Sequence, residues 1–262
     1  MKKNDTLKEI VLKKKERLLL AKQALPEEAI KAALQGLAPV RGFMKAINKP
    51  HTISLIAEIK KASPSRGVIR QDFDPAGIAR IYKDAGAQAL SVLTEEDFFQ
   101  GSPSFIQEVK NAVDLPVLRK DFILEPYHVY ESRLLGADAI LLIADLLSKD
   151  SLAELLRIAS EVGLECLVEA HTEKDLKKIL SLKAPLIGIN NRDLHTLEVD
   201  PKTIERLFIR APKDKVVIAE SGIKSASEVL FLKILGVKAV LIGQAFMEAG
   251  DIKQKVEEVM GW

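Results

Sequence analysis

The chain has 262 residues, 47% of them hydrophobic and 29% charged, an ordinary balance for a globular protein with a sizeable core. Its 39 basic and 37 acidic residues leave a net charge of only +2, which excludes the clustered positive surface of a general nucleic-acid binder. A single cysteine, Cys166, excludes an internal disulfide and a cysteine-built zinc site, and no apolar run approaches the roughly 18 residues of a membrane span.

The stretch Met1 to Thr6 lacks the apolar h-region of a secretory signal, so with its lone cysteine the protein is expected in the reducing cytoplasm. The first predicted element runs from Lys2 to Lys22, where Leu7, Ile10, Val11 and Leu18 recur at helical spacing with lysines between them. A basic amphipathic helix can lie on a membrane, but the commoner arrangement packs its apolar stripe on its own domain, which is the expectation here. A looser stretch around Pro26 to Pro50 follows. Residues 1–50 are therefore expected to be a helical extension of one domain spanning 1–262.

The pattern then becomes regular. Strands are predicted at Ile53–Ile59, Ala89–Leu93, Pro116–Arg119, Ala139–Ile143, Glu165–Glu169, Leu186–Asn190, Val216–Glu220 and Ala239–Ile242. Their starts lie about 21 to 36 residues apart, the length of a βα unit, and each run is nearly continuous in apolar residues, as parallel strands under helices require. Between them, Asp74-Pro75, Ser102-Pro103 and Asp200-Pro201 each place a capping side chain before a proline at a helix start. Ser151 with Glu154, and Ser225 with Glu228, read as capping boxes, while Gly86, Gly136, Gly163 and Gly236 fall where helices should end. Even repetition without a dinucleotide fingerprint predicts closure into a (β/α)₈ TIM barrel, a fold of roughly 250 residues.

Side chains at the carboxyl ends of barrel strands face the active-site mouth, and here they form a polar set. Glu58 and Lys60 share a face at the end of the first strand. Lys120 is in phase with the inward-facing Leu118, Glu169 with Leu167, Asn190 with Leu186 and Glu220 with Ile218, whereas Arg119, Cys166 and Asn191 should point to the helix layer. Any one of these carboxylates could be a surface residue paired with lysine. Together on several strands they would be costly to bury unless mutual pairing or a ligand compensates. Ser221-Gly222, which leads into a helix capped by Ser225, and Gly243-Gln244 after the last strand suit a phosphate, because helix amino termini offer free N–H groups. The four histidines, His51, His128, His171 and His195, lack metal-ligand spacing, and no metal is expected; His171 and His195 are read as solvated loop residues.

The segment Ile56-Ala-Glu-Ile-Lys-Lys-Ala-Ser-Pro-Ser-Arg-Gly67 resembles the signature of the indole-3-glycerol phosphate synthases, lyases of tryptophan biosynthesis. Leu93-Thr-Glu-Glu-Asp-Phe-Phe-Gln-Gly-Ser102, Leu118-Arg-Lys-Asp-Phe122, Leu167-Val-Glu-Ala170, Gly188-Ile-Asn-Asn-Arg-Asp-Leu194 and Ala219-Glu-Ser-Gly-Ile223 resemble the same family in order, so the likeness covers essentially the whole chain. Two positions depart: Gln244 stands where the family usually has Ser or Glu, and Asn191 where Ser is often seen.

The resemblance implies closure of the indole ring of 1-(2-carboxyphenylamino)-1-deoxyribulose 5-phosphate with loss of CO₂ and water, by general acid–base catalysis and without cofactor or metal. It implies Lys120 as general acid and Glu169 as acid or base in the dehydration, with Lys60 a second acid candidate. Glu58 and Asn190 would orient the substrate, with Glu220 in support. Lys60, Ser221, Gly222, Gly243 and Gln244 would meet the phosphate, Arg192 the anionic groups, and Phe99, Phe122 and Leu194 the aromatic ring, under a loop from Ser63 to Gly67. The expected partner is this small anionic substrate alone, bound by a monomer or homodimer. The rival readings are a barrel like phosphoribosylanthranilate isomerase, which would want a cysteine base after the first strand, a non-catalytic binding barrel, and a protein held at a membrane surface by its basic first helix.

Overall fold

In a computed structural model, which describes residues 6–262, eight parallel strands close into a barrel. They are β1 (Ser54–Ile59), β2 (Ala89–Leu93), β3 (Val117–Lys120), β4 (Ala139–Ile143), β5 (Glu165–Ala170), β6 (Leu186–Asn190), β7 (Val216–Glu220) and β8 (Ala239–Ile242). Each pairs in parallel with its sequence neighbours, and β1 closes the ring on β8 with Ser54 opposite Ala239 and Ala57 opposite Ile242. The predicted strands match to within one residue. β3 is displaced by one, so Lys120 ends the strand and keeps its inward phase.

Side-chain alternation divides the apolar residues between two cores. Ile56, Leu118, Leu141, Leu167, Leu186, Ile218 and Leu241 fill the barrel interior. Leu55, Ala57, Val117, Ile140, Val168, Ile187 and Val217 pack under the helices. Cys166 packs against that second layer, where burial pushes its thiol up to about 12. Arg119 also points outward, donating to Glu131 and Ser132 of the helix that follows β3.

The surrounding helices are α4 (Pro75–Asp84), α5 (Ser104–Ala112), α6 (Pro126–Leu134), α7 (Lys149–Glu161), α8 (Glu173–Ser181), α9 (Lys202–Phe208), α10 (Ala226–Leu235), α11 (Gln244–Met247) and α12 (Ile252–Met260), following the N-terminal α1 (Thr6–Ala24), α2 (Glu27–Ala33) and α3 (Phe43–Ile47). Asp74, Ser102 and Asp200 accept from the N–H of Ala76, Ser104 and Lys202, so all three predicted caps act, although α5 and α9 begin one residue beyond the proline. Ser225 and Glu228 form the expected capping box. The box predicted at Ser151 does not form. Ser148 offers the same hydroxyl one turn earlier and accepts from the Ser151 N–H at 3.0 Å, so Ser151 lies inside α7. A second box, Thr172 with Asp175, was not foreseen because Asp stands in for the usual Glu. Gly86, Gly136, Gly163 and Gly236 all take positive φ just past helix ends.

The N-terminal helices close both ends of the barrel. At the amino ends of the strands, Phe43 and Ile47 of α3 plug the interior, with the Met44 N–H donating to Glu165 at the start of β5. At the carboxyl ends, α1 crosses the mouth and buries Leu7, Ile10, Lys14 and Leu18. Lys14 thus takes the stripe position expected for Val11, which is half-buried. The reason is a buried partner: Lys14 Nζ lies 2.7 Å from Asp121 Oδ2. Residues 1–5, including Lys2 at the start of the predicted amphipathic stretch, lie outside the described residues. Among the described residues no helix is long and apolar enough to cross a membrane, and the buried stripe of α1 faces its own barrel.

Candidate active site

Alternate strands of a (β/α)₈ barrel contribute the side chains of one interior layer. At the mouth, the odd strands supply Glu58 from β1, Lys120 from β3, Glu169 from β5 and Glu220 from β7, where layers deeper in the barrel hold aliphatic residues. Lys120 Nζ lies between the three carboxylates, 2.8 Å from Glu220 Oε2, 3.7 Å from Glu169 Oε2 and 3.8 Å from Glu58 Oε2. Lys60 continues the face of β1 and sits 2.8 Å from Glu58 Oε1.

Three buried carboxylates around few cations cannot all be equivalent. Burial disfavours the charge on Lys120, but Glu220, Glu169 and Glu58 outweigh it and hold the ammonium protonated well above its usual range. Burial likewise opposes ionisation of Glu58, yet Lys60, Lys120 and Arg192 keep its carboxyl below the ordinary value. Glu220 differs: burial, with help from Glu169 and Glu58, prevails over Lys120 and raises its carboxyl to about 7. The layer therefore holds a committed cationic acid, a committed carboxylate and a group that titrates near neutrality, a division typical of acid–base sites.

A carboxyl raised above its unfolded value destabilises the fold as pH climbs from about 4.3, the unfolded glutamate value, towards about 7. Glu220→Gln should therefore raise the melting temperature more at pH 8 than at pH 4.5. Thermal melts at the two pH values check this, and equal shifts would contradict it.

Asn190 is locked on three sides. Its Nδ2 donates to Glu169 Oε1 at 3.0 Å, its Oδ1 accepts from the Arg192 N–H at 2.9 Å, and its carbonyl meets His171 Nδ1 at 2.8 Å. His171 is thus half-buried and held behind the site rather than solvated, whereas His195 is exposed, beside Asp145. His128, on α6, is buried, and burial together with Lys14 and Arg119 lowers its imidazole to about 3, so it is a neutral packing residue. Asn191 points away as expected, accepting from the Ile204 N–H.

The anion-binding end is built by β7 and β8. Ser221 and Gly222 take successive positive φ values of 66° and 83° before the cap of α10, and Gly243 precedes the short extra helix α11. The first N–H groups of a helix have no partner within it, which suits them to an anion. The departure at Gln244 has a structural use. Its Oε1 accepts from Arg192 at 3.3 Å and its Nε2 donates to Glu248, so the side chain braces Arg192 across the mouth. At the opposite end Phe99 and Phe122 pack at 6.2 Å between centroids, joined by Leu194 and by Leu7 and Ile10 of α1. The predicted loop forms a small antiparallel ribbon, Ala62–Ser63 with Gly67–Val68, tied to Phe99 by the Ala62 N–H.

These ends share one cavity of about 920 Å³. Glu58, Lys60, Ser63, Phe99, Lys120, Phe122, Glu169, Asn190, Arg192, Leu194, Ser221, Gly222, Gly243 and Gln244 all line it. Glu220 does not: it is 1% exposed and sits behind Lys120, supporting it from within the barrel. Sequence reasoning missed Leu7 and Ile10 as cavity residues. Their periodicity marks a buried face but not what that face meets.

A closed barrel with titratable groups converging at its strand ends, between an apolar wall and two anion-suited loops, defines a (β/α)₈-barrel enzyme of the acid–base class. The family described as indole-3-glycerol phosphate synthase matches residues 7–259. Curated indole-3-glycerol phosphate synthases from Caldanaerobacter subterraneus subsp. tengcongensis and Acetivibrio thermocellus are 48% and 46% identical, covering 97% and 96% of this chain and 99% and 98% of their own lengths. The chain belongs to the indole-3-glycerol phosphate synthase family. Among solved structures, a 3-hexulose-6-phosphate synthase superposes with a TM-score of 0.64 at 14% identity, over 80% of this chain and 99% of that one. A chain of the Pyrococcus furiosus tryptophan synthase complex superposes with 0.60 at 18% identity, over 80% and 98%. At such identities the likeness establishes the shared fold.

Proposed function

We propose that the chain closes the indole ring of 1-(2-carboxyphenylamino)-1-deoxyribulose 5-phosphate, giving indole-3-glycerol phosphate, CO₂ and water. The observation that carries the reading is Lys120, held protonated among three carboxylates where the apolar and anion-suited ends of the cavity meet. The substrate has matching parts: an aromatic ring for Phe99, Phe122 and Leu194, and a phosphate for Lys60, Ser221, Gly222 and Gly243.

Ring closure needs the ring carbon that bears the carboxylate to attack the ketone carbon of the sugar. Lys120 donates its proton to the ketone oxygen as that bond forms, and loss of CO₂ then restores the ring. The new hydroxyl then takes up a proton and leaves as water, while the adjoining CH2 carbon beside the nitrogen gives one up and the ring double bond forms. Glu169, fixed by the Asn190 amide, serves that dehydration as acid or base. Glu58 holds Lys60 at the phosphate side and Arg192 fixes the anionic groups, while the Ser63–Gly67 ribbon excludes water over the site. Lys60 is the second candidate acid.

The lone cysteine suits a reducing cytoplasm. An isomerase like that acting on phosphoribosylanthranilate is disfavoured: Glu58 lies at the end of β1 and Lys60 just beyond it, and Cys166 packs under the helices. Offering both substrates separately tests the reading. One CO₂ per indole product from the carboxyphenylamino compound, and no conversion of phosphoribosylanthranilate, is expected. The reverse pattern would overturn it.

A further inference from the structure

Glycine in the middle of a barrel strand sacrifices both strand propensity and packing, so it needs a reason. Gly188 is the central residue of β6, inward-facing in phase with Leu186 and Asn190. Its φ is not among the positive ones, so the backbone does not require glycine. Space does. A Cβ at this position would lie 2.1 Å from Glu220 Oε1 and 3.3 Å from Glu220 Cδ and Leu167 Cδ1. The Glu220 side chain therefore lies over the Gly188 backbone. Its Oε2 holds Lys120 at 2.8 Å, while its buried Oε1 has no hydrogen-bond partner among the described residues.

We propose that Gly188 is a positioning residue for ring closure: its missing side chain is the seat that lets the Glu220 carboxylate lie behind Lys120 and hold the ammonium within the layer, between Glu58 and Glu169. This rests on the reading of Lys120 as the acid. The strand cannot yield to an added methyl, because Gly188 is paired in register with Glu169 on one side and Ile218 on the other. The far end of the Glu220 side chain can. Displacing it releases Lys120 towards Glu169 and Glu58 and changes the charge balance of all four groups, while the fold persists because alanine suits a strand better than glycine.

The test compares Gly188→Ala, Glu220→Gln and the double variant of the full chain, assayed for indole-3-glycerol phosphate formation. Gly188→Ala is expected to melt at or above the wild-type temperature, keep KM within about threefold, lower kcat by about tenfold or more and displace its pH profile. In the Glu220→Gln background the same substitution should change kcat by less than about twofold, because the group it acts through is already altered. Equal losses in both backgrounds, or an unchanged kcat and pH profile, would overturn the proposal. A carbon-13 titration of glutamate-labelled protein, with the Glu220 signal assigned by Glu220→Gln, reads the seat without turnover. A midpoint displaced by Gly188→Ala in a protein that makes no indole product would sink the ring-closure reading and leave the seat standing. An unmoved midpoint would remove the seat.

Discussion

Lys120→Ala is expected to lower kcat by at least about a hundredfold, roughly 2.7 kcal/mol of lost transition-state stabilisation. The ammonium lies within 3.8 Å of all three carboxylates of its layer, and among the described residues no other cation in the cavity is shared so widely. On the proposed mechanism its removal takes away the proton that meets the ketone oxygen and also the charge that keeps Glu58 and Glu169 from repelling Glu220. The buried carboxylates then compensate by taking up a proton, so the variant should fold, with its kcat optimum displaced. The anion-suited end does not involve Lys120, and KM should stay within a few fold. Steady-state kinetics of the purified variant check both statements, and near-normal turnover would remove Lys120 from the acid role.

The largest effect on stability should come from Asp121, one residue further on and facing the other way. Its Oδ2 accepts from Lys14 of α1 at 2.7 Å, from Thr94 Oγ1 at 2.6 Å and from Arg119 at 2.9 Å, all buried. Burial alone would raise this carboxyl, but Lys14 and Arg119 hold it well below the usual carboxylate range. Asp121→Ala strands the buried Lys14 ammonium and leaves Arg119 with Glu131 as its one carboxylate partner among the described residues, and it should cost about 3–5 kcal/mol, the usual penalty for breaking a buried pair. At roughly 2–4 °C per kcal/mol for a chain of this size, the melting temperature falls by roughly 6–20 °C. Because the folded value is depressed, the stabilisation is present above about pH 4 and fades as pH drops through the folded value. The deficit of the variant should therefore shrink in acid. Calorimetry across pH decides it, and a loss below about 1 kcal/mol at pH 7 would show that the pair does not tie α1 to the barrel.

That network also marks where sequence reading stopped. The barrel was legible because its signals are local: apolar runs for strands, capping side chains at Asp74 and Ser225, and glycines such as Gly136 at helix ends. The inward phase of Lys120, Glu169, Asn190 and Glu220 followed from alternation with Leu118, Leu167, Leu186 and Ile218. Three-dimensional pairing was not legible. Lys14 reads as one more surface lysine until Asp121, 107 positions away, is placed beside it. Glu220 reads as a mouth residue like Glu58, yet the carboxylate turns in over Gly188 and leaves the cavity wall to Lys120. Gln244 reads in the sequence only as a departure from the family's usual Ser or Glu. It becomes a brace for Arg192 only once β6 and β8 are brought to the same rim.

The most direct test of the account follows indole fluorescence after the carboxyphenylamino-deoxyribulose phosphate is mixed with purified protein in the presence of a chelator. The expected result is steady formation of indole-3-glycerol phosphate, abolished by Lys120→Ala and preserved in a conservative surface variant such as Lys233→Arg. Absence of product from protein that still binds inorganic phosphate at the β7–β8 end would contradict ring closure. Undiminished product from Lys120→Ala would contradict the role assigned to the central lysine.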